Sequence, residues 1–170
     1  MFINKVPNDF IRQFDMLPHP EGGWYKENYR SKETIASSCL PDEFNGTRNF
    51  STAIYFLLEN GNFSGFHRIK SDEVWHFYAG GPLEIFILQG NGTLEVLTLG
   101  SDLNAGEQFQ QVVPANVWFA SRPKQGVMFS LVGCTVSPGF DFNDFELAKQ
   151  NDLEMEFPQH RTIIHELTRS

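Results

Sequence analysis

The chain has 170 residues, 41% of them hydrophobic and 17 of them Phe, with a formal net charge of -8. That length and apolar load suit one domain with a dense aromatic core, and the acidic balance, without any cluster of Lys and Arg, excludes a nucleic-acid footprint. No apolar run approaches the ~20 residues that cross a bilayer, and Met1-Phe2-Ile3-Asn4-Lys5 lacks the apolar core of a leader, so the expected setting is the cytoplasm with no membrane partner.

Asn8 or Asp9 caps a run in which Phe10, Ile11, Phe14 and Leu17 recur at helical spacing, which predicts a short N-terminal helix packed on the outside of the domain. Pro18-His19-Pro20 stops it, and Glu21-Gly22-Gly23 turns the chain into the aromatic strand Trp24-Tyr25-Lys26-Glu27-Asn28-Tyr29. The Pro- and Gly-rich stretch is read as a chain turn in preference to a pocket lid. Residues 31–49, polar and without a period, read as a long loop or flap.

From residue 50 the pattern becomes short β segments: 50–58, 64–69, 73–78, 83–88, 93–99, 109–113, 117–121 and 127–136. Strands at that spacing make a sandwich or barrel. Gln89-Gly90-Asn91-Gly92 joins two of them as a hairpin, since Asn-Gly accepts the positive φ of a tight turn. Ser137-Pro138-Gly139 ends the sheet, Asn143 caps an expected short helix over 143–148, and the tail from Gln150 shows one apolar run, Ile163-Ile164. The expected layout is one all-β domain over 1–170, with an extension over 1–49, a barrel core over 50–140, and a helix and tail over 141–170. Cys39 and Cys134 are too far apart for a metal knuckle and are expected to be free thiols, Cys134 buried and inert. The glycosylation-like triplets at Asn45, Asn49, Asn62 and Asn91 carry no meaning without secretion.

The chemistry concentrates in one strand-turn-strand unit. Phe63, Gly65, His67 and Ile69 share one parity and Glu73, Trp75 and Phe77 another, so each strand turns one face inward and His67 and Glu73 are brought to a shared interior. No Gly-x-Ser-x-Gly elbow, phosphate loop or dinucleotide fingerprint is present. Asp141, Asp144 and Glu146 read as capping and solvated charges.

Around these residues the chain resembles the cupin superfamily. Gly65, His67, Glu73 and Gly80 follow the spacing of its first motif, with Ile69 in place of the second His. Gly106, Pro114-Ala115-Asn116 and Val117-Trp118-Phe119 are similar to its second motif, with Asn116 for Gly and Phe119 for the metal-binding His. A longer resemblance, through Pro18-His19-Pro20-Glu21-Gly22-Gly23, Phe66-His67-Arg68, Ser71-Asp72-Glu73-Val74-Trp75-His76-Phe77-Tyr78 and Leu131-Val132-Gly133-Cys134-Thr135-Val136-Ser137-Pro138-Gly139-Phe140-Asp141-Phe142, is to cupin family 5, a group without an assigned reaction. It implies a double-stranded β-helix, or jelly-roll cupin barrel, with short N- and C-terminal helices, paired as a homodimer and similar in shape to sugar-nucleotide epimerases and metal-dependent cupin enzymes.

Three readings of the pair follow. A metal-dependent enzyme would hold a divalent ion with His67, Glu73 and His76, although His76 lies three residues after Glu73 and points to the other face unless a bulge intervenes. A metal-free site would use His67 and Glu73 for proton transfer beside a carbonyl, as an isomerase or epimerase does, with Tyr55 or Tyr78 as the acid. The plainest alternative is a binding or storage module in which the two groups only satisfy each other. No cofactor is favoured. A small polar or sugar-like ligand is expected, with Arg68, Trp75, Tyr78, Gln111 and Trp118 as neighbours of His67 and Glu73 in the pocket.

Overall fold

The computed structural model describes residues 6–169, so the leader reading at residues 1–5 lies outside the described residues. In chain order the elements are α1 Pro7–Gln13, β1 Leu17–Pro18, β2 Trp24–Arg30, β3 Thr34–Ile35, β4 Arg48–Asn49, β5 Thr52–Glu59, β6 Ser64–Arg68, β7 Asp72–Gly80, β8 Leu83–Leu88, β9 Leu94–Leu99, β10 Gln110–Val113, β11 Trp118–Pro123, β12 Phe129–Ser137, β13 Glu146–Leu147, α2 Gln150–Glu156 and α3 Arg161–Glu166. Strands β5 to β12 correspond one for one to the expected β segments. One sheet runs β1-β2-β5-β12-β7-β10, a second runs β13-β6-β11-β8-β9, and β3 pairs with β4 as a separate hairpin. The paired strands are antiparallel, and the two large sheets face each other as a jelly roll.

Between the sheets lies a core of Phe56, Leu58, Trp75, Ile85, Ile87, Phe119 and Val132 with their neighbours. The alternation read from the sequence builds it: Trp75 in β7 meets Phe56 and Phe119 edge-on, at ring separations of 5.9 and 6.2 Å. Strands β11 and β12 are buried on both faces, which is why they read as nearly continuous apolar runs. Their outer faces need cover. On the second sheet, Phe66, Phe86, Leu88 and Trp118 are covered by Leu153, Phe157, Ile164 and Leu167 from α2, α3 and the turns beside them. On the first sheet, Leu57, Phe129 and Leu131 are covered by Phe10 and Met16 from the α1 region.

The β8–β9 hairpin closes as expected, with Leu88 opposite Leu94, Gln89 N–H donating to Thr93 O at 2.9 Å and Gly92 at φ 86°. The C-terminal helix falls elsewhere. Residues 143–148 form no α-helix: Asp141 accepts the Asn143 N–H at 2.9 Å to make a 3-10 turn over Phe142–Asp144, and the backbone then pairs with β6 as β13, Leu147 opposite His67. The weakly patterned tail supplies α2 and α3 instead, each too short to show more than a few apolar positions.

Residues 31–49 are folded down rather than loose. They carry the β3–β4 hairpin and a 3-10 turn at Ser37–Cys39, and Lys70 Nζ donates to Glu43 O at 2.6 Å. Arg48 grips Asp144 through both carboxylate oxygens at 2.6 Å, the two side chains only 3% and 4% exposed. Asp144 is therefore a buried ion-pair partner and not a solvated charge. Asp141 does cap its turn, and Glu146 is exposed and pairs with Arg68. No helix of the described residues is long and apolar enough to cross a membrane.

Candidate functional site

His67 and Glu73 open into one cavity of about 470 Å³ between the two sheets. Strand β6 presents His67 inward opposite Phe119, their rings 4.1 Å apart, and Glu73, the second residue of β7, is turned the same way. Both side chains are buried. The Pro- and Gly-rich turn before β2 adds two groups that the sequence reading did not assign. Gly22 and Gly23, at φ 115° and 73°, bend the chain so that His19 and Glu21 also enter the cavity.

Glu21 is held from several sides. Its carbonyl oxygen accepts Gly65 N–H at 2.8 Å and also Arg169 Nε–H, while Ser64 Oγ–H donates to its Oε1 at 2.8 Å. Its Oε2 lies 3.1 Å from His67 Nε2 and 3.5 Å from His19 Nδ1. On the far side of the ring, His67 Nδ1–H donates to Gly65 O at 2.8 Å, a carbonyl that can only accept. Nε2 of a neutral His67 then offers a lone pair toward a carboxyl oxygen, so one proton must lie between Glu21 and His67.

Burial decides where that proton rests. It pushes the Glu21 carboxyl up and the His67 imidazole down, and the buried His19 is likewise pushed down, so a carboxylic acid facing a neutral imidazole is the favoured form. Glu73 is raised to about 7, chiefly by burial, against the opposing effect of the nearby Cys134 thiol and Trp75 indole. Cys134 lines the cavity, but burial and Glu73 raise its pKa and keep it a thiol.

The raised Glu73 makes stability depend on pH. Its folded-state pKa of about 7 exceeds the ordinary 4.5, so the folded protein binds this proton more tightly than the unfolded chain. The contribution is fully present below pH 4.5 and is lost as the pH rises through 7, by up to about 3 kcal/mol. Glu73→Gln is expected to remove that loss and to gain on the wild type in urea unfolding at pH 8 relative to pH 5. An equal difference at both pH values would show that Glu73 ionises normally.

The other expected neighbours lie elsewhere. Arg68 follows His67 by one residue and so takes the opposite face, where its guanidinium stacks 4.3 Å over Trp118 and pairs with Glu146. Trp118 is buried under the C-terminal helices, its Nε1 without a hydrogen-bond partner among the described residues. Tyr78 is on the outer face of the first sheet, half exposed against Tyr55 at 5.8 Å; Gly133 makes room for it, since a Cβ there would sit 2.4 Å from its hydroxyl oxygen. Tyr55 itself stacks on Phe14 outside the barrel, so neither Tyr reaches the cavity. Trp75 faces inward but packs in the core, and Gln111, opposite Trp75 on edge strand β10, is not part of the lining.

His76 is turned outward, accepting from Gln110 Nε2–H at 3.0 Å and donating to Thr135 Oγ1 at 3.1 Å, so it is not a third ligand beside His67 and Glu73. Among the described residues no group of three or more His, Cys, Asp or Glu is arranged to hold a metal ion. Inside the cavity Glu21 and His67 face each other instead of a common point, Ile69 adds an apolar group to the lining, and Phe119 packs its ring on His67. These residues do not fit the three-ligand sites that metal enzymes use.

Comparison with known proteins agrees with the fold. The family model described as Cupin superfamily (DUF985) matches residues 8–148. An uncharacterised protein of Saccharomyces cerevisiae, YML079W, is 31% identical over 150 residues, covering 84% of this chain and 75% of its own. Protein SO0799 from Shewanella oneidensis has a solved structure 42% identical with a TM-score of 0.88, covering 98% of this chain and 99% of that one. A hypothetical protein from Leishmania major gives 32% identity and a TM-score of 0.88, over 98% of this chain and 100% of that one. Oxalate decarboxylase from Bacillus subtilis shares only the fold, at 14% identity and a TM-score of 0.52 over 88% of this chain and 36% of that one.

Proposed function

The chain belongs to the Cupin superfamily (DUF985) family, and from that footing we propose that its barrel binds a small polar or sugar-like molecule and moves a proton on it, as an isomerase or epimerase does without a metal. The observation that carries this reading is the 3.1 Å contact of Glu21 Oε2 with His67 Nε2 in the cavity that also holds Glu73, whose pKa of about 7 suits exchange at neutral pH. In the proposed step Glu73 as carboxylate takes a proton from a carbon next to a carbonyl, and the Glu21–His67 pair supplies one to the other side. The aromatic walls of Tyr25, Phe56, Phe140 and Phe142 with these few polar groups have the make-up of a small-molecule pocket, and the volume of about 470 Å³ falls within the usual range.

The test is a thermal-shift screen of sugars, keto acids and hydroxy acids, followed by incubation of stabilising compounds in D₂O with NMR detection of C–H loss. Exchange catalysed by the protein supports the reading. Stabilising compounds that never exchange would reduce it to binding alone.

A homodimer fits the edge of the first sheet. Among the described residues β1 covers β2 only at Trp24 and Tyr25, so residues 26–30 carry an open edge that includes the exposed Tyr29, with Phe50 also exposed. A dimeric mass by light scattering at micromolar concentration is expected, and a monomer would rule this pairing out. A cytoplasmic setting suits the two free thiols at Cys39 and Cys134.

A further inference from the structure

We infer that the cavity takes an uncharged, polyhydroxylated or carbonyl compound of about monosaccharide size and turns away phosphate esters and nucleotides, because its charged groups are already matched to one another inside the protein. This rests on the reading of the cavity as a small-molecule site and narrows it.

Phosphate recognition needs cationic donors with free N–H groups. Among the described residues lining the cavity, Arg30 is the sole guanidinium or ammonium. It is committed elsewhere. Its Nε–H and one terminal N–H donate to the two Glu27 oxygens at 3.0 and 2.7 Å, and its other terminal nitrogen donates to Asn49 Oδ1 at 2.8 Å and Phe140 O at 3.1 Å. Those bonds occupy four of the five donors a guanidinium has. His19 and His67 are held toward neutrality by burial and add no cation at neutral pH.

An anion entering the cavity would instead meet carboxyl groups at Glu21, Glu27, Glu73 and Asp141. A cationic ligand gains little from them. Glu27 is paired with Arg30, Glu21 with His67 and Ser64, and Asp141 accepts the Asn143 N–H, while Glu73, raised to about 7 by burial, is only partly ionised at neutral pH. Apart from Asp141 and the partly ionised Glu73, what stays open to a ligand is a set of neutral donors and acceptors between aromatic walls, which suits hydroxyl and carbonyl groups on an apolar ring face. This separates the cavity from the nucleotide-sugar chemistry suggested by the likeness in shape to epimerases.

The experiment uses the full chain and follows the imidazole signals of His67 by NMR at pH 7. Neutral aldoses and ketoses are titrated beside their 6-phosphates, the corresponding 2-amino sugars and uridine diphosphate. Neutral members are expected to shift the His67 signals, with the phosphates, the amino sugars and uridine diphosphate at least about tenfold weaker. A phosphorylated, amino or nucleotide probe that shifts His67 as strongly as a neutral sugar would overturn the inference while leaving the cavity as a ligand site. No response at His67 to any probe at tens of millimolar would overturn both.

Glu27→Gln supplies a second test on a side chain exposed enough to change without unfolding the barrel. Releasing Arg30 is expected to raise the affinity for hexose 6-phosphates at least about tenfold, and Glu27→Gln/Arg30→Gln is expected to remove the gain. A Glu27→Gln protein that still excludes phosphate esters would overturn the account of how anions are turned away.

Discussion

His67→Gln is expected to slow proton exchange on a bound ligand by about 10²–10⁴-fold, the usual worth of a positioned acid–base group. Gln is close in size, and its amide N–H can still donate to Gly65 O, so the strand and the packing against Phe119 have a reason to survive. What it cannot do is accept the proton from Glu21 and release it again. Ligand affinity should therefore change much less than exchange rate. Initial rates of deuterium incorporation, measured beside a urea unfolding curve, separate the two effects. An unchanged rate in a folded variant would remove His67 from the chemistry.

Asp144→Ala is expected to lower the unfolding free energy by about 3–5 kcal/mol, because it strands the buried Arg48 guanidinium without its charge partner. Lys70 Nζ, 3.4 Å from the Asp144 carboxylate, would lose that charge partner and keep its bond to Glu43 O. The consequence reaches the cavity. Asp144 closes the 3-10 turn over Phe142–Asp144, whose first residue, with Phe140 and Asp141 just before it, lines the cavity, so loosening that turn should also weaken ligand binding. Replacing both partners by apolar residues, Arg48→Met with Asp144→Leu, should recover much of the stability, since neither charge is then left buried alone. Urea denaturation of the single and double variants checks this, and a loss under about 1 kcal/mol in Asp144→Ala would mean that water reaches Arg48.

The barrel was legible because its information is local. Alternation along β6 and β7 turns His67 and Glu73 inward, and Asn91-Gly92 marks the β8–β9 turn, each within a few residues of itself. The same alternation places Arg68, His76 and Tyr78 outside, and only His76 was read by its parity. Residue type alone does not say which face Arg68, Tyr78 or Trp118 takes, and an aromatic or a cation near the motif need not face the ligand. Glu21 and His19 carried a signal in the acid and imidazole of their Pro- and Gly-rich turn. Their arrival beside His67 depends on a long-range bond, Gly65 N–H to Glu21 O, that no periodicity reports. The Arg48–Asp144 pair spans 96 residues and is invisible for the same reason. Helices α2 and α3 escaped because each buries only a few side chains, and their helical form is settled by the sheet they cover.

The arrangement of protons between His67 and Glu21 is the most direct point of attack. Long-range ¹H–¹⁵N correlation of histidine-labelled protein at pH 7.5 should show His67 neutral, with its proton on Nδ1 and a hydrogen-bonded, unprotonated Nε2, and this pattern should be disturbed in Glu21→Gln. A His67 protonated on Nε2 alone, or one that titrates like a free imidazole and ignores Glu21→Gln, would contradict the shared proton and the chemistry built on it.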